Sequence, residues 1–208
     1  QRLASPEFAG NAEKGKPAMV VSATISTSPT MIYFGQEVGE PGAEAAGFGS
    51  PSRTSIFDYI GVPHLQRWVN NKAFDGGQST EEEKSLRDFY KRLLNFTISS
   101  SALMGDYQDI HTFNRKNTQN YNDKVLSFVR WSDDEKLIII SNFDNESHAQ
   151  FNLKIPESII KSWNLSDGNH KVQDQLYHQF SSTLNVDEGH GNIDITLKPL
   201  ESFILKIQ

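Results

Sequence analysis

From Asp106 to the C-terminus the apolar residues recur at every second position, and this change of period constrains the chain more than any other feature. Six segments show it: 124–131, 137–142, 149–155, 170–175, 192–197 and 203–207. Side chains alternate across a strand, so such a pattern gives each segment one face for a core. Between the segments lie "SDDEK", "DNES", "LSDGN" and "DEGHGN", whose Asp, Asn, Ser and Gly suit tight turns. Short strands joined by such turns predict an antiparallel β-sandwich or barrel.

Upstream the pattern differs. Residues 16–27, "KPAMVVSATIST", predict a helix packed on a sheet, with Pro17 in its first turn. The run 30–34, between Pro29 and Gly35, is too short for a helix and reads as a buried parallel strand. A loop rich in Gly, Ala, Pro and Ser follows, to about Thr54. A helix is expected over 80–97, capped by Ser79 or Thr80, with Glu82 or Glu83 at the capping-box position. Leu86, Phe89, Tyr90, Leu93, Leu94 and Thr97 give it one largely apolar face. A turn over 99–104 ends at Gly105. One parallel strand and its flanking helix cannot make a domain, so residues 1–105 read as the end of something larger.

Composition narrows the function. Hydrophobic residues make up 37% of the 208, including 13 Phe, enough for a real core. A net charge of −6 gives no basic footprint for nucleic acid, and no apolar run reaches the roughly 18–20 residues that span a bilayer. Without cysteine there is no thiolate nucleophile, disulfide or Cys-based zinc site, and the compartment stays open. No G-x-S-x-G elbow, phosphate loop or dinucleotide loop is present.

The order of segments then carries a resemblance. "TMIYFGQEVGE" (30–40), "RTSIFDYIGVPHLQRWV" (53–69), "LRDFYKRLLNFTISSSALMGDY" (86–107), "VLSFVRWSDDEKLIIISNF" (125–143) and "LESFILKIQ" (200–208) follow one another as in the C-terminal portion of the alpha-amylase family of glycoside hydrolases, which this chain resembles. The Tyr-x-Gly-x-Glu pattern at Tyr33, Gly35 and Glu37 and the Leu-Arg-x-Phe-Tyr helix carry most of it. The resemblance implies an α+β fragment: the last β/α segment of a (β/α)8 barrel over 1–105, then an antiparallel β-sandwich domain over 106–208. Residues 30–34 would be the last barrel strand.

The resemblance also implies the chemistry of the parent, a retaining glycosidase acting on α-glucans such as starch and maltooligosaccharides. Such enzymes use a nucleophile and a general acid/base about 5 Å apart. The family adds a third carboxylate in an Asn-His-Asp motif after the seventh strand, and this sequence contains no Asn-His-Asp. The expectation is that Arg2 lies just beyond that motif, that the 208 residues hold no catalytic residue and that the chain alone is inactive. Gln36, Glu37 and Arg53 are the candidate sugar contacts at the barrel rim, since amide and guanidinium groups suit polar ligands. Against them stand a loop carboxylate satisfied by amides and ordinary solvated side chains. No cofactor is implied, and the calcium possible in the parent has no ligands assignable here. The family's glucan-degrading members make a periplasmic or extracellular setting plausible.

Other polar clusters favour structural readings. Asp133, Asp134 and Glu135 read as a solvated turn, Asp106, Asp109 and His111 as surface rather than a metal cluster, and His148, His170, His178 and His190 as scattered. Asn95, Asn145 and Asn164 fit the glycosylation pattern, which is frequent by chance. Trp68, Trp131 and Trp163 are the aromatics a sugar ring would stack on, although partial burial is the default for Trp. An alternative function follows: an independent carbohydrate-binding module whose glucan affinity Trp131→Ala or Trp163→Ala removes. The barrel-fragment reading expects weak or no binding, and a structural or interaction domain indifferent to glucans is a third option. Unpaired edges near 30–34 would leave residues 1 to about 60 poorly ordered, rearranged or paired in a homo-oligomer.

Overall fold

A computed structural model describes residues 3–5, 8–41 and 62–208. The chain divides into two compact units, one of Gln1–Met19 and Pro29–Leu94, the other of Val20–Ser28 and Asn95–Gln208. Two helices run through both divisions in sequence, α1 (Ala12–Thr24) and α3 (Glu81–Ser99).

In the first unit, α1 begins four residues before the expected start at 16. The Asn11 side chain accepts a hydrogen bond from the Lys14 amide at 2.9 Å, the geometry of an N-cap. Pro17 therefore sits inside the helix rather than in its first turn, where it withholds the amide that the Glu13 carbonyl would accept. The strand expected at 30–34 does not form: residues 29–33 have no regular secondary structure, and a turn starts at Phe34. A strand exists through ladder hydrogen bonds to a neighbour, and the ladders among the described residues join only strands from Asp106 onward. A short helix, α2 (Pro63–Val69), opens with Pro at its first position. At α3 the choice of cap resolves to Thr80 with Glu83: the Thr80 amide donates to Glu83 Oε2 at 3.0 Å and the Glu83 amide to Thr80 Oγ1 at 3.3 Å. Leu86, Phe89, Tyr90 and Leu93 are its buried face.

The second unit is built on one eight-stranded antiparallel sheet. Its strands are β1 (Asp106–Asp109), β2 (Val125–Trp131), β3 (Lys136–Asn142), β4 (Ala149–Ile155), β5 (Gly168–Asp174), β6 (Ser181–Asp187), β7 (His190–Leu197) and β8 (Ser202–Ile207). They lie in the order β1-β2-β3-β8-β5-β6-β7-β4. Two short helices, α4 (His111–Asn117) and α5 (Glu157–Ser162), sit in the β1–β2 and β4–β5 connections. β4 shows strict alternation, with Ala149, Phe151, Leu153 and Ile155 buried and the residues between them exposed.

One core cluster joins Val125 and Val129 of β2, Ile138 and Ile140 of β3, and Phe151 and Leu153 of β4. In a flat sheet β2 and β4 would stand about 29 Å apart, at about 4.8 Å per neighbour. The sheet is therefore curled, so that its two ends face one core. The facing layers expected of a sandwich come from one sheet turned upon itself. The opposite face of β2, β3 and β8 is buried as well, at Phe128, Leu137, Ile139 and Ile204.

Candidate functional site

The turn after Phe34 places the sequence-selected residues. A 3-10 turn, Gln36–Val38, is bracketed by Gly35 at φ 76° and Gly39 at φ 78°, left-handed values that favour glycine. Gln36 is buried, not at a solvent-facing rim. Its amide approaches Met19 Sδ at 3.5 Å and hydrogen-bonds the Tyr90 hydroxyl. Burial pushes the Tyr90 phenol up to about 12. Glu37 is half-buried and adds its negative charge to that effect. Arg53 and Arg2 lie outside the described residues.

The strongest polar network of this unit has Glu83 at its centre, a residue that sequence reading assigns to capping alone. Its buried carboxylate receives Arg67 through Nε at 3.1 Å to each oxygen and through Nη2, and His64 Nδ1 at 3.0 Å. His64 Nδ1 also lies 3.2 Å from the Val38 carbonyl. Both neighbours are acceptors, so Nδ1 carries a proton. Burial pushes the Glu83 carboxyl upward, but Arg67, the Thr80 amide and His64 outweigh it and hold it below the ordinary carboxylate value. The bond to Glu83 raises Arg67 in turn. Glu40, also buried, accepts the His64 and Leu65 amides at 2.9 and 3.3 Å, a cap for α2 supplied from more than twenty residues away. No sequence pattern links Glu40, His64, Arg67 and Glu83, because three separate segments supply them.

A groove of about 610 Å³ runs past His64, Arg67, Glu83, Glu13 and Lys16. Its carboxylates are engaged: Glu13 pairs with Lys16 at 2.7 Å, Glu81 with Lys84 at 2.9 Å, and Glu83 as above. Glu82 and Glu83 are held below the usual range. A general acid working near neutral pH needs the reverse, a carboxyl raised by its surroundings. The groove is thus equipped for ion pairing rather than proton donation.

In the second unit Asp109 caps α4, accepting the His111 and Thr112 amides at 3.0 and 3.2 Å. His111 Nδ1 lies 3.1 Å from the Tyr121 hydroxyl, which lies 2.9 Å from Ser127 Oγ. Among the described residues no three His, Asp or Glu side chains are placed to hold a metal. Asp133 and Asp134 are exposed, as a turn predicts, but Glu135 is buried. It accepts from Ser100 Oγ at 2.5 Å, the Ala102 amide at 3.0 Å and Lys206 at 2.8 Å. Burial pushes its carboxyl up, and these donors reverse the shift to a value below the ordinary one. Trp68 is half-buried with the Arg87 guanidinium 4.5 Å from its ring centre, Trp163 is buried, and Trp131 is half-buried.

Comparison with known proteins adds to this geometry. Residues 116–208 match the family model for the alpha amylase C-terminal all-beta domain. The 1,4-alpha-glucan branching enzyme GlgB of Francisella tularensis subsp. novicida (strain U112) is 29% identical over 183 residues, covering 85% of this chain and 27% of the enzyme. GlgB of Francisella tularensis subsp. holarctica (strain OSU18) is 26% identical over the same length and shares. The chain thus spans about a quarter of the length of these relatives. Among solved structures, AmyP E221Q in complex with maltotriose aligns with a TM-score of 0.59 and 19% identity, over 95% of this chain and 35% of that one. The alpha-amylase of Geobacillus thermoleovorans complexed with acarbose aligns with a TM-score of 0.56 and 17% identity, over 95% and 34%. At these identities the structural likeness speaks for the fold.

Proposed function

From the match of residues 116–208 to the alpha amylase C-terminal all-beta domain, we propose that the chain is the C-terminal portion of a retaining enzyme acting on α-glucans. In this reading residues 1–105 form the last β/α segment of the enzyme's (β/α)8 barrel, and the β domain stabilises that barrel. The catalytic carboxylates belong to other strands, and the 208 residues alone turn over no glucan. Glu37 and Arg53 stand at the rim of the sugar site, and Gln36 supports that rim from beneath, against Tyr90 and Met19.

One observation carries this reading. The likeness to the branching enzymes runs over 183 residues, well beyond the matched family domain, and so takes in much of the region read as barrel. Glu82 and Glu83 of the first unit are held below the ordinary carboxylate value, the opposite of what a proton donor working near neutral pH needs. The relatives' activity on 1,4-alpha-glucan makes linear α-1,4 chains the substrate class to test. The experiment incubates the chain with amylose and follows reducing ends and iodine absorbance. No change in either is expected, and turnover that survives repurification would overturn the assignment of the chemistry to missing strands. Outside the full enzyme, apolar side chains that the barrel would cover, such as Met31, are exposed, which makes self-association part of the same proposal.

A further inference from the structure

We propose that Trp68, Ser79 and Arg87 form a binding site for a phosphate group, free or ester-linked to a small metabolite, between α2 and the start of α3. The inference rests on side chains of the first unit alone and is independent of the glucan reading.

Two donors here lack acceptors. Arg87, on α3, is half-buried, and its guanidinium carbon stands 4.5 Å from the centre of the Trp68 ring on α2. Stacking engages the flat face of the guanidinium and leaves the N–H groups at its edge. Of these, Nε is buried and meets no acceptor among the described residues. Ser79 is 8% exposed, and its hydroxyl is likewise buried without a partner. It is not spent on capping α3, because the Glu83 amide already donates to Thr80 Oγ1. Buried polar groups are normally paired, so two orphans beside one aromatic residue call for a ligand or another explanation.

The backbone brings these groups together at some cost. Asn70, Asn71, Lys72 and Phe74 have φ of 45°, 54°, 76° and 56°, left-handed values that disfavour side chains of this size. Asp75 holds the segment, accepting from Asn70 Nδ2 at 2.8 Å and from the Gly77 amide at 2.9 Å. The result is that Gly76, at φ 71°, lies against both sides of the site. A Cβ there would stand 3.7 Å from Trp68 Nε1 and 3.8 Å from Ser79 Oγ, so the indole N–H and the hydroxyl border the same glycine. Strain of this kind persists where the surrounding structure enforces it, and it clusters at ligand sites.

The donors select the ligand. Nearby carboxylates are engaged: Glu81 with Lys84, Glu83 with Arg67 and His64, and Asp75 with Asn70. The Arg87 charge repels a cation, and a neutral acceptor leaves that charge uncompensated. A carboxylate has two oxygens in one plane, which the guanidinium edge alone satisfies, so the Ser79 hydroxyl would stay unpaired. A phosphate group presents three or more oxygens in a tetrahedral arrangement. It therefore accepts from the guanidinium edge, the hydroxyl and the indole N–H together, with a matching negative charge.

The test uses the full chain, isotope-labelled, titrated with sodium phosphate at constant ionic strength and read at the Arg87 Nε–H and Trp68 indole N–H resonances. Saturable shifts at both are expected. Arg87→Lys keeps the charge but loses the planar edge, and should weaken binding about tenfold or more. Ser79→Ala removes a hydroxyl that has no partner, so the melting temperature without phosphate should hold or rise. The rise that phosphate produces in the parent should shrink in that variant. This pair of results separates a ligand contact from a structural role, and it keeps the test decisive if Arg87→Lys misfolds. Arg115→Ala, on α4 of the other unit, should bind as the parent does. In two further arms sn-glycerol 3-phosphate and acetate replace inorganic phosphate. Binding of the ester as tight as that of the free ion assigns the site to phosphorylated metabolites, and binding of the free ion alone assigns it to inorganic phosphate. Absence of saturable shifts, shifts that both variants leave intact, or acetate binding as tightly as phosphate would overturn the proposal.

Discussion

Arg130 is the most consequential single residue of the β unit. Its side chain is 1% exposed and forms no ion pair with a carboxylate among the described residues. It donates instead to four carbonyls, those of Thr24 and Ile25 at 3.4 and 2.9 Å and those of Leu103 and Gly105 at 2.5 and 3.1 Å. Two of these lie at the C-terminal end of α1, where a cation opposes the negative end of the helix dipole. Burial lowers the Arg130 pKa, the direction expected when a cation loses water. Arg130→Met should therefore leave carbonyls unpaired and cost about 2–4 kcal/mol in urea unfolding. Arg130→Lys should recover only part, because an ammonium has three donors and no planar fork. A loss below the scatter of the measurement would refute the hub. Asp144 sets a pH limit. The Lys124 ammonium, at 2.9 Å, and the Glu146 and Ser147 amides hold its carboxyl down at about 2. A depressed carboxyl stabilises the fold above its unfolded pKa of about 3.9 and loses that contribution as pH falls toward the folded value. The melting temperature should thus fall between about pH 4 and pH 2, and Asp144→Asn should flatten this limb while lowering the neutral-pH plateau.

At the scale of elements, Asn114 ties α4 to the outermost strand. β4 stands at the end of the sheet with β7 as its only ladder partner among the described residues. The Asn114 carboxamide donates to the Lys154 carbonyl and accepts from the Lys154 amide, both at 2.9 Å, and so imitates one residue of a further strand. It also donates to the Ile110 carbonyl at 2.9 Å and accepts from Thr118 Oγ1 at 2.6 Å, which satisfies the whole group at 0% exposure. Asn114→Leu should speed hydrogen exchange at the Lys154 amide selectively, leaving β3 and β8 protected; uniform acceleration would mean global destabilisation instead. Elements with a strong period were legible in the sequence. The span 149–155 coincides with β4, and five other segments lie within two residues of β2, β3, β5, β7 and β8. β1, "DYQD", and β6, "SSTLNVD", escaped because few apolar residues mark their alternation, and they form through pairing with β2 and β5. The capping box of α3 was readable because its partners are three residues apart. The Glu40–His64 and Arg67–Glu83 contacts were not, because they join segments 24 and 16 residues apart. Gln36 has the amide chemistry of a sugar contact, and its burial against Tyr90 is not readable from sequence because the two lie on separate segments.

For the whole molecule, the residues around Phe34 decide behaviour in solution. Met31 is 82% exposed and Phe34 40% exposed. Covering one such side chain is worth about 1.5–3 kcal/mol. Two copies meeting through this segment by two-fold symmetry would bury four, about 6–12 kcal/mol at most. Association costs about 4–15 kcal/mol in lost translational and rotational freedom. The two ranges overlap, so the pairing should be weak and concentration-dependent rather than obligate. In a full-length enzyme of the proposed kind, neighbouring barrel strands would compete for the same residues. Sedimentation velocity over a range of concentrations should show a monomer that shifts toward dimer as concentration rises. The double variant Met31→Glu, Phe34→Ser should abolish the shift, whereas added salt should not, because the driving force is apolar. A chain that stays monomeric at every concentration, or a dimer indifferent to the double variant, would place the interface elsewhere.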